Sequence, residues 1–158
     1  MRQRETLLAD AGRVARLGFW RRRQDEETIV WSDEVYRFYG VEPGTIVPTL
    51  ALVRARLHPD DVRLWQRARL RLTETGENQT VTVRVGQPDG SWRWIRDLVG
   101  MERAADGAVT IYGIAQDVTE EVGARARLDR QQRQLAEAGR IAGLGFWRLP
   151  LGSDTFEL

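Results

Sequence analysis

Cysteine is absent from this chain of 158 residues, and so is lysine; histidine occurs once and methionine twice. Without a thiol there is no disulfide, no thiolate metal ligand and no cysteine nucleophile, and a reducing compartment is the natural setting. Lysine's absence leaves all 24 basic positions to arginine, against 23 acids, for a formal net charge of +1. The arginines are spread along the chain and interleaved with acids, so the charge footprint of a nucleic-acid or anionic-membrane binder is missing. No apolar run approaches the roughly 20 residues of a membrane span, and nothing after Met1 reads as a signal peptide. The lone His58 has no second ligand at metal-binding spacing.

Catalytic patterns are missing too. No glycine-rich phosphate loop follows a strand, and Ser32 and Ser91 have no histidine beside them in the sequence. The adjacent carboxylates Asp60 and Asp61 read as a cap and a dipole partner at a helix start. With no nucleophile–base set, the chain does not read as an enzyme.

What is present is a long-period repeat. Residues 8–21, LADAGRVARLGFWR, return at 135–148 as LAEAGRIAGLGFWR, with Trp147 standing 127 residues after Trp20. That period is too long for a solenoid and suits a domain plus linker. Leu158 falls opposite Trp31, so the second unit is expected to be a truncated start. The expected organisation is a connector helix at 1–16, a domain at 17–118, a coiled-coil-like linker helix at 119–143, and the start of a second copy at 144–158.

Between the repeats, hydrophobic period and turn residues predict the elements. Residues 19–23 and 29–31 read as short strands around the polar turn 24–27. Ser32 and Asp33 are placed to cap a short helix through Tyr39, and Thr49 to cap another over 50–57. The His58–Pro59 step interrupts that helix. A longer helix follows over about 61–75, with Val62, Trp65, Ala68 and Leu72 on one face and Arg63, Arg67 and Arg71 away from it. Val81, Val83 and Val85 alternate with polar residues as in a half-buried strand. Turns at 88–90 and 105–107 then separate strands over 91–103 and 108–118. Short strands, helices and three long antiparallel strands make an α+β domain with a five-stranded antiparallel sheet and its helices on one face. After Thr119 the helical period resumes, and a loose 4–3 seam runs through Leu128 and Leu135.

The motifs, in order, are LGFW at 17–20, WSDE at 31–34, Tyr39 with Gly40, HPDD at 58–61, DGSWRWI at 89–95 and GIAQDVT at 113–119. Their order and spacing resemble the PAS domains common in bacterial sensor histidine kinases and diguanylate cyclases. The resemblance implies a cytoplasmic sensory or relay module. Such a module binds a small molecule or pairs with itself, and passes the change to an adjacent PAS copy or an output domain of a two-component or cyclase system. At HPDD it implies a turn into the long helix, with a structural bond for His58. Haem-binding relatives place their ligand inside that helix, where this chain has Leu64, Trp65, Ala68 and Leu72, so haem is disfavoured. Flavin sensors that form a thiol adduct need the cysteine this chain lacks. Non-covalent flavin stays open, since aromatic residues could stack on it, although no motif here specifies it.

Candidate functional residues fall into three sets. Trp20, Tyr36, Tyr39, Trp65, Ala68, Leu72, Val83 and Trp94 are candidates to wall a small-molecule cavity, the alternative being that they are packed core. Asp117 and Thr119, where the last strand becomes the linker helix, are candidates for signal relay: Thr119 as helix cap, Asp117 paired with Arg93 or Arg96. Leu8, Leu128 and Leu135 are candidates for homodimer contacts between flanking helices. The rival to a sensor is a ligand-free dimerisation spacer with a filled core.

Overall fold

A computed structural model describes residues 16–141. All but the last residue of the connector helix expected at 1–16, Leu8 included, and the second-copy start expected at 144–158 lie outside those residues, as does the end of the linker helix. The chain divides into two compact units, the first ending at Thr119 and the second beginning at Glu120.

The first unit is built on five strands: β1 (Leu17–Arg23), β2 (Val30–Trp31), β3 (Gln79–Gly86), β4 (Trp92–Arg103) and β5 (Val109–Asp117). They form one antiparallel sheet in the order β2-β1-β5-β4-β3, so the first hairpin and the last three strands meet where β1 pairs with β5. Between β2 and β3 run α1 (Asp33–Phe38), α2 (Leu50–Arg56), a 3₁₀ turn (Pro59–Asp61) and α3 (Val62–Thr75). Val81, Val83 and Val85 of β3, Ile95 and Val99 of β4, and Ile111 and Ala115 of β5 are buried on the same sheet face. One sheet face is therefore apolar and covered, as strand alternation requires.

The turns form for local reasons. The hairpin at 88–90 closes through Gly90 N–H donating to Gln87 O at 2.9 Å, while Asp89 accepts from Ser91 N–H at 2.9 Å. Gly76 ends α3 in a left-handed conformation, φ 74°, which glycine adopts without steric cost. Thr49 caps α2, its hydroxyl accepting from Leu52 N–H at 3.1 Å.

Two expected helix-start roles differ, the cap at Ser32 and the dipole partner at Asp61. Ser32 stands before α1 but makes no side-chain cap bond; its hydroxyl instead accepts from Phe19 N–H at 2.9 Å, tying the helix start to β1. Asp61 stands before α3 without capping it. Its carboxylate is taken by Arg84, accepting from that residue's backbone N–H at 2.7 Å and its guanidinium at 2.8 and 3.0 Å. A strong charged partner outcompetes a helix's own N–H groups. His58 does hold the turn, its Nδ1 accepting from Asp60 N–H at 3.1 Å.

In the second unit the described residues continue as α4 (Thr119–Ile141), which buries none of its residues. Among the described residues no helix is long and apolar enough to cross a membrane.

Candidate functional site

A cavity of about 510 Å³ lies between the inner sheet face and the helices. Its floor is the alternating aliphatic set of β3, β4 and β5. Its walls include Val35, Phe38 and Tyr39 from the α1 end, Val53 and Leu57 around α2, and Trp65 and Ala68 from α3. Trp31 stacks on Tyr39 with ring centroids 4.4 Å apart. At one end the lining passes to exposed residues, Glu26 and Glu27 of the β1–β2 connection and Gln66 and Thr73 of α3, which sets the mouth between those two segments.

Of the candidate wall residues, Trp20, Tyr39, Trp65, Ala68 and Val83 line this cavity. Three do not. Tyr36 packs edge-on against Trp31 and only flanks the core. Leu72 is fully buried in a second small cluster with Val99 and Ile111. Trp94 lies on the opposite sheet face, its ring under the Arg84 guanidinium at 4.8 Å. That face follows from register, because the inward positions of β4 are Ile95, Asp97 and Val99.

The interior residue that sequence reasoning missed is Asp97. It sits mid-strand, paired with Val81 on one side and Ala115 on the other. Its carboxylate accepts from the Trp20 indole N–H at 3.1 Å to each oxygen, and no other side-chain partner is found among the described residues. Burial pushes the Asp97 carboxyl up to about 7, an effect the indole N–H only partly offsets. The indole reaches it because Trp20 crosses Gly113: a Cβ on Gly113 would lie 2.2 Å from Trp20 Nε1. The signal available in the sequence was the i, i+2 line of Ile95, Asp97 and Val99. It was masked by the equally apolar line of Trp92, Trp94 and Leu98 on the other face.

Arg22 is a second missed lining residue, 7% exposed. Its guanidinium donates to the carbonyls of Arg23, Gln24 and Glu26 at 3.1, 3.2 and 2.8 Å, which pins the β1–β2 connection. Burial, then the neighbouring Arg69, pull its pKa down. Arg69 lies over Trp65, 4.9 Å from the ring centroid.

The candidate relay residues come together, with two corrections. Thr119 does not cap the helix through its hydroxyl. That hydroxyl accepts from Trp94 N–H at 2.9 Å and donates to Asp117 Oδ1 at 2.5 Å, which also accepts Thr119 N–H at 3.0 Å. Asp117 pairs with Arg93, Nη1 to Oδ2 3.3 Å, while Arg96 turns instead to Gln116 Oε1 at 2.8 Å. Alternation along β4 separates Arg93 from Arg96, and only the former is carried to the strand end. Val118 N–H donates to Trp94 O at 2.8 Å, so both backbone polar groups of Trp94 are engaged by the joint. Leu128 and Leu135 stand 54% and 73% exposed on α4. Among the described residues no group of three acidic, histidine or cysteine side chains is placed to hold a metal ion.

Comparisons with known proteins agree with this architecture. A family profile described as the PAS fold matches residues 28–115, more than half of the chain. No curated protein matches. The chain is similar to the solved structure of a sensory box histidine kinase/response regulator from Burkholderia thailandensis E264, at 21% identity and TM-score 0.69, covering 82% of this chain and 98% of that one. It is also similar to the N-terminal domain of a diguanylate cyclase with PAS/PAC sensor from Marinobacter aquaeolei, at 21% identity and TM-score 0.59, covering 66% and 97%. A PAS domain from Colwellia psychrerythraea matches at 17% identity and TM-score 0.57, covering 73% and 97%. At these identities the structures speak to fold alone. With the profile matched over β2 to β5 and the sheet in the order β2-β1-β5-β4-β3, this chain belongs to the PAS-fold family.

Proposed function

We propose that this chain is a sensory and relay module of a larger bacterial signalling protein of the histidine kinase or diguanylate cyclase type. A small molecule in the cavity shifts the inner sheet face. β4 carries the change to the joint at Asp117 and Thr119, and the linker helix passes it to a neighbouring PAS copy or output domain in the cytoplasm. The observation that supports this most is that one strand serves both places. Asp97 of β4 lines the cavity, and Arg93 and Trp94 of the same strand bind Asp117, Val118 and Thr119. A joint held by a few hydrogen bonds, about 1 kcal/mol each, is weak enough for a ligand to bias.

A cavity of 510 Å³ is of the size that small ligands occupy, which favours this reading over a spacer with a filled core. Homodimerisation through the flanking helices, with Leu128 and Leu135 in the seam, belongs to the same proposal.

The test uses the full-length protein. Asp117→Ala and Thr119→Val should each reduce the signal-dependent change in output by about fivefold or more, with the circular dichroism spectrum unchanged. Full signalling in both variants would sink the relay.

A further inference from the structure

We propose that the cavity takes a small organic monoamine, its protonated nitrogen paired with Asp97 and its flat apolar body held among Trp20, Trp31, Tyr39 and Trp65. This deepens the proposed function and rests on the cavity being a ligand site.

Three observations carry it. Among the described residues of β3, β4 and β5, Asp97 is the only acid that lines the cavity, and its one donor among the described side chains is an indole N–H. A carboxylate in that position retains acceptor capacity, and a cationic nitrogen meets it with a charge-assisted hydrogen bond. Trp20, Trp31, Phe38, Tyr39 and Trp65 line the cavity, and the Trp31–Tyr39 stack is preformed; aromatic rings attract an organic cation through their quadrupole.

The far end sets the limit to one basic nitrogen. Asp97 pairs with Ala115, and Arg22 with Ile111, four residues back along β5. At about 3.3 Å per residue this is roughly 13 Å along the sheet. Arg22 and Arg69 line that end, with Glu27 as their acidic neighbour. The guanidiniums of Arg22 and Arg69 repel a second cationic group there and tolerate a neutral or anionic end.

The charged and titratable groups around the cavity are Arg22 of β1, Asp25, Glu26 and Glu27 of the β1–β2 connection, Tyr39 after α1, and Arg69 of α3. From β3 and β5 only Val81 and Ala115 stand beside Asp97. Burial raises the Asp97 carboxyl to about 7. Amine binding needs its ionised form, so affinity rises with pH through that range.

Binding of tryptamine, its neutral analogue tryptophol and indole-3-acetate to the whole chain, measured by calorimetry at pH 8, tests this. Tryptamine should bind at least about tenfold tighter than tryptophol, a ratio a charge-assisted bond supplies. Lowering the pH to 6 should weaken tryptamine about tenfold and leave tryptophol unchanged. Asp97→Asn should remove the preference; wild type at pH 6 gives the same comparison without a substitution. If tryptophol or indole-3-acetate binds as well as tryptamine, the monoamine assignment fails while the ligand cavity stands. If none of the three binds, the assignment is overturned and the cavity's role as a ligand site loses its support.

Discussion

A carboxylate on the inward face of a central strand is costly to bury, and Asp97 is held against that cost by one indole N–H. Its raised pKa fixes the sign of a pH effect. Between about pH 4 and 7 the folded state keeps a proton that the unfolded state has released, so stability falls as pH rises across that window. At 1.36 kcal/mol per unit the loss is about 2–4 kcal/mol. Urea titrations at pH 5 and pH 8 should show it, and Asp97→Asn should flatten the difference; an equal difference in the variant would exclude Asp97 as its source. Strand alternation alone would have put Asp97 on a line with Ile95 and Val99. Trp94, the aromatic candidate on this strand, belongs to the other line and packs under Arg84 on the opposite face. A two-residue period separates the faces of a strand but carries no sign saying which is inside.

At the scale of elements, the approach to α3 is anchored by a charge rather than by a cap. Asp61, 7% exposed, holds β3 through Arg84, and that partner keeps its carboxyl below the ordinary range. The sign is opposite to that of Asp97: the contribution is present above about pH 4 and is lost as pH falls through the depressed pKa. Asp61→Asn should cost about 2–3 kcal/mol in chemical denaturation at pH 7, while Asp60→Asn, whose side chain is 79% exposed, should cost little. A small effect at Asp61 would mean that water replaces Arg84 without penalty. The elements themselves were legible: strands, short helices and turns fall within a few residues of where hydrophobic period, Gly76 and the turn at 88–90 place them. Cap assignments were less so. Ser32, Asp61 and Thr119 each have a residue type that caps helices, and each spends its side chain on a neighbouring strand or on Asp117 instead. Sequence names a competent donor or acceptor, and the fold decides which partner reaches it first.

At the scale of the whole molecule, α4 is a helix that buries nothing by itself, with Leu128, Leu135 and Ile141 exposed. A lone helix of this kind is stabilised mainly by tertiary or quaternary packing, which is the physical ground for proposing a homodimer through the linker. Light scattering should give a dimer, and Leu128→Asp with Leu135→Asp a monomer; a monomeric wild type at high concentration would refute the seam.

The sequence by itself determined the family and the run of elements, because hydrophobic period, turn chemistry and motif order are local and are written in consecutive positions. Only the tertiary structure decided what those elements enclose. Asp97, Trp20 and Gly113 stand on three different strands, and it is the register β4–β5–β1 that brings an acid, an indole and the absence of a side chain to one point. The same register sends Trp94 outward and gives Asp117 to Arg93 rather than Arg96. Pairing between distant strands is set by the packing of the whole sheet, and no local spacing encodes it.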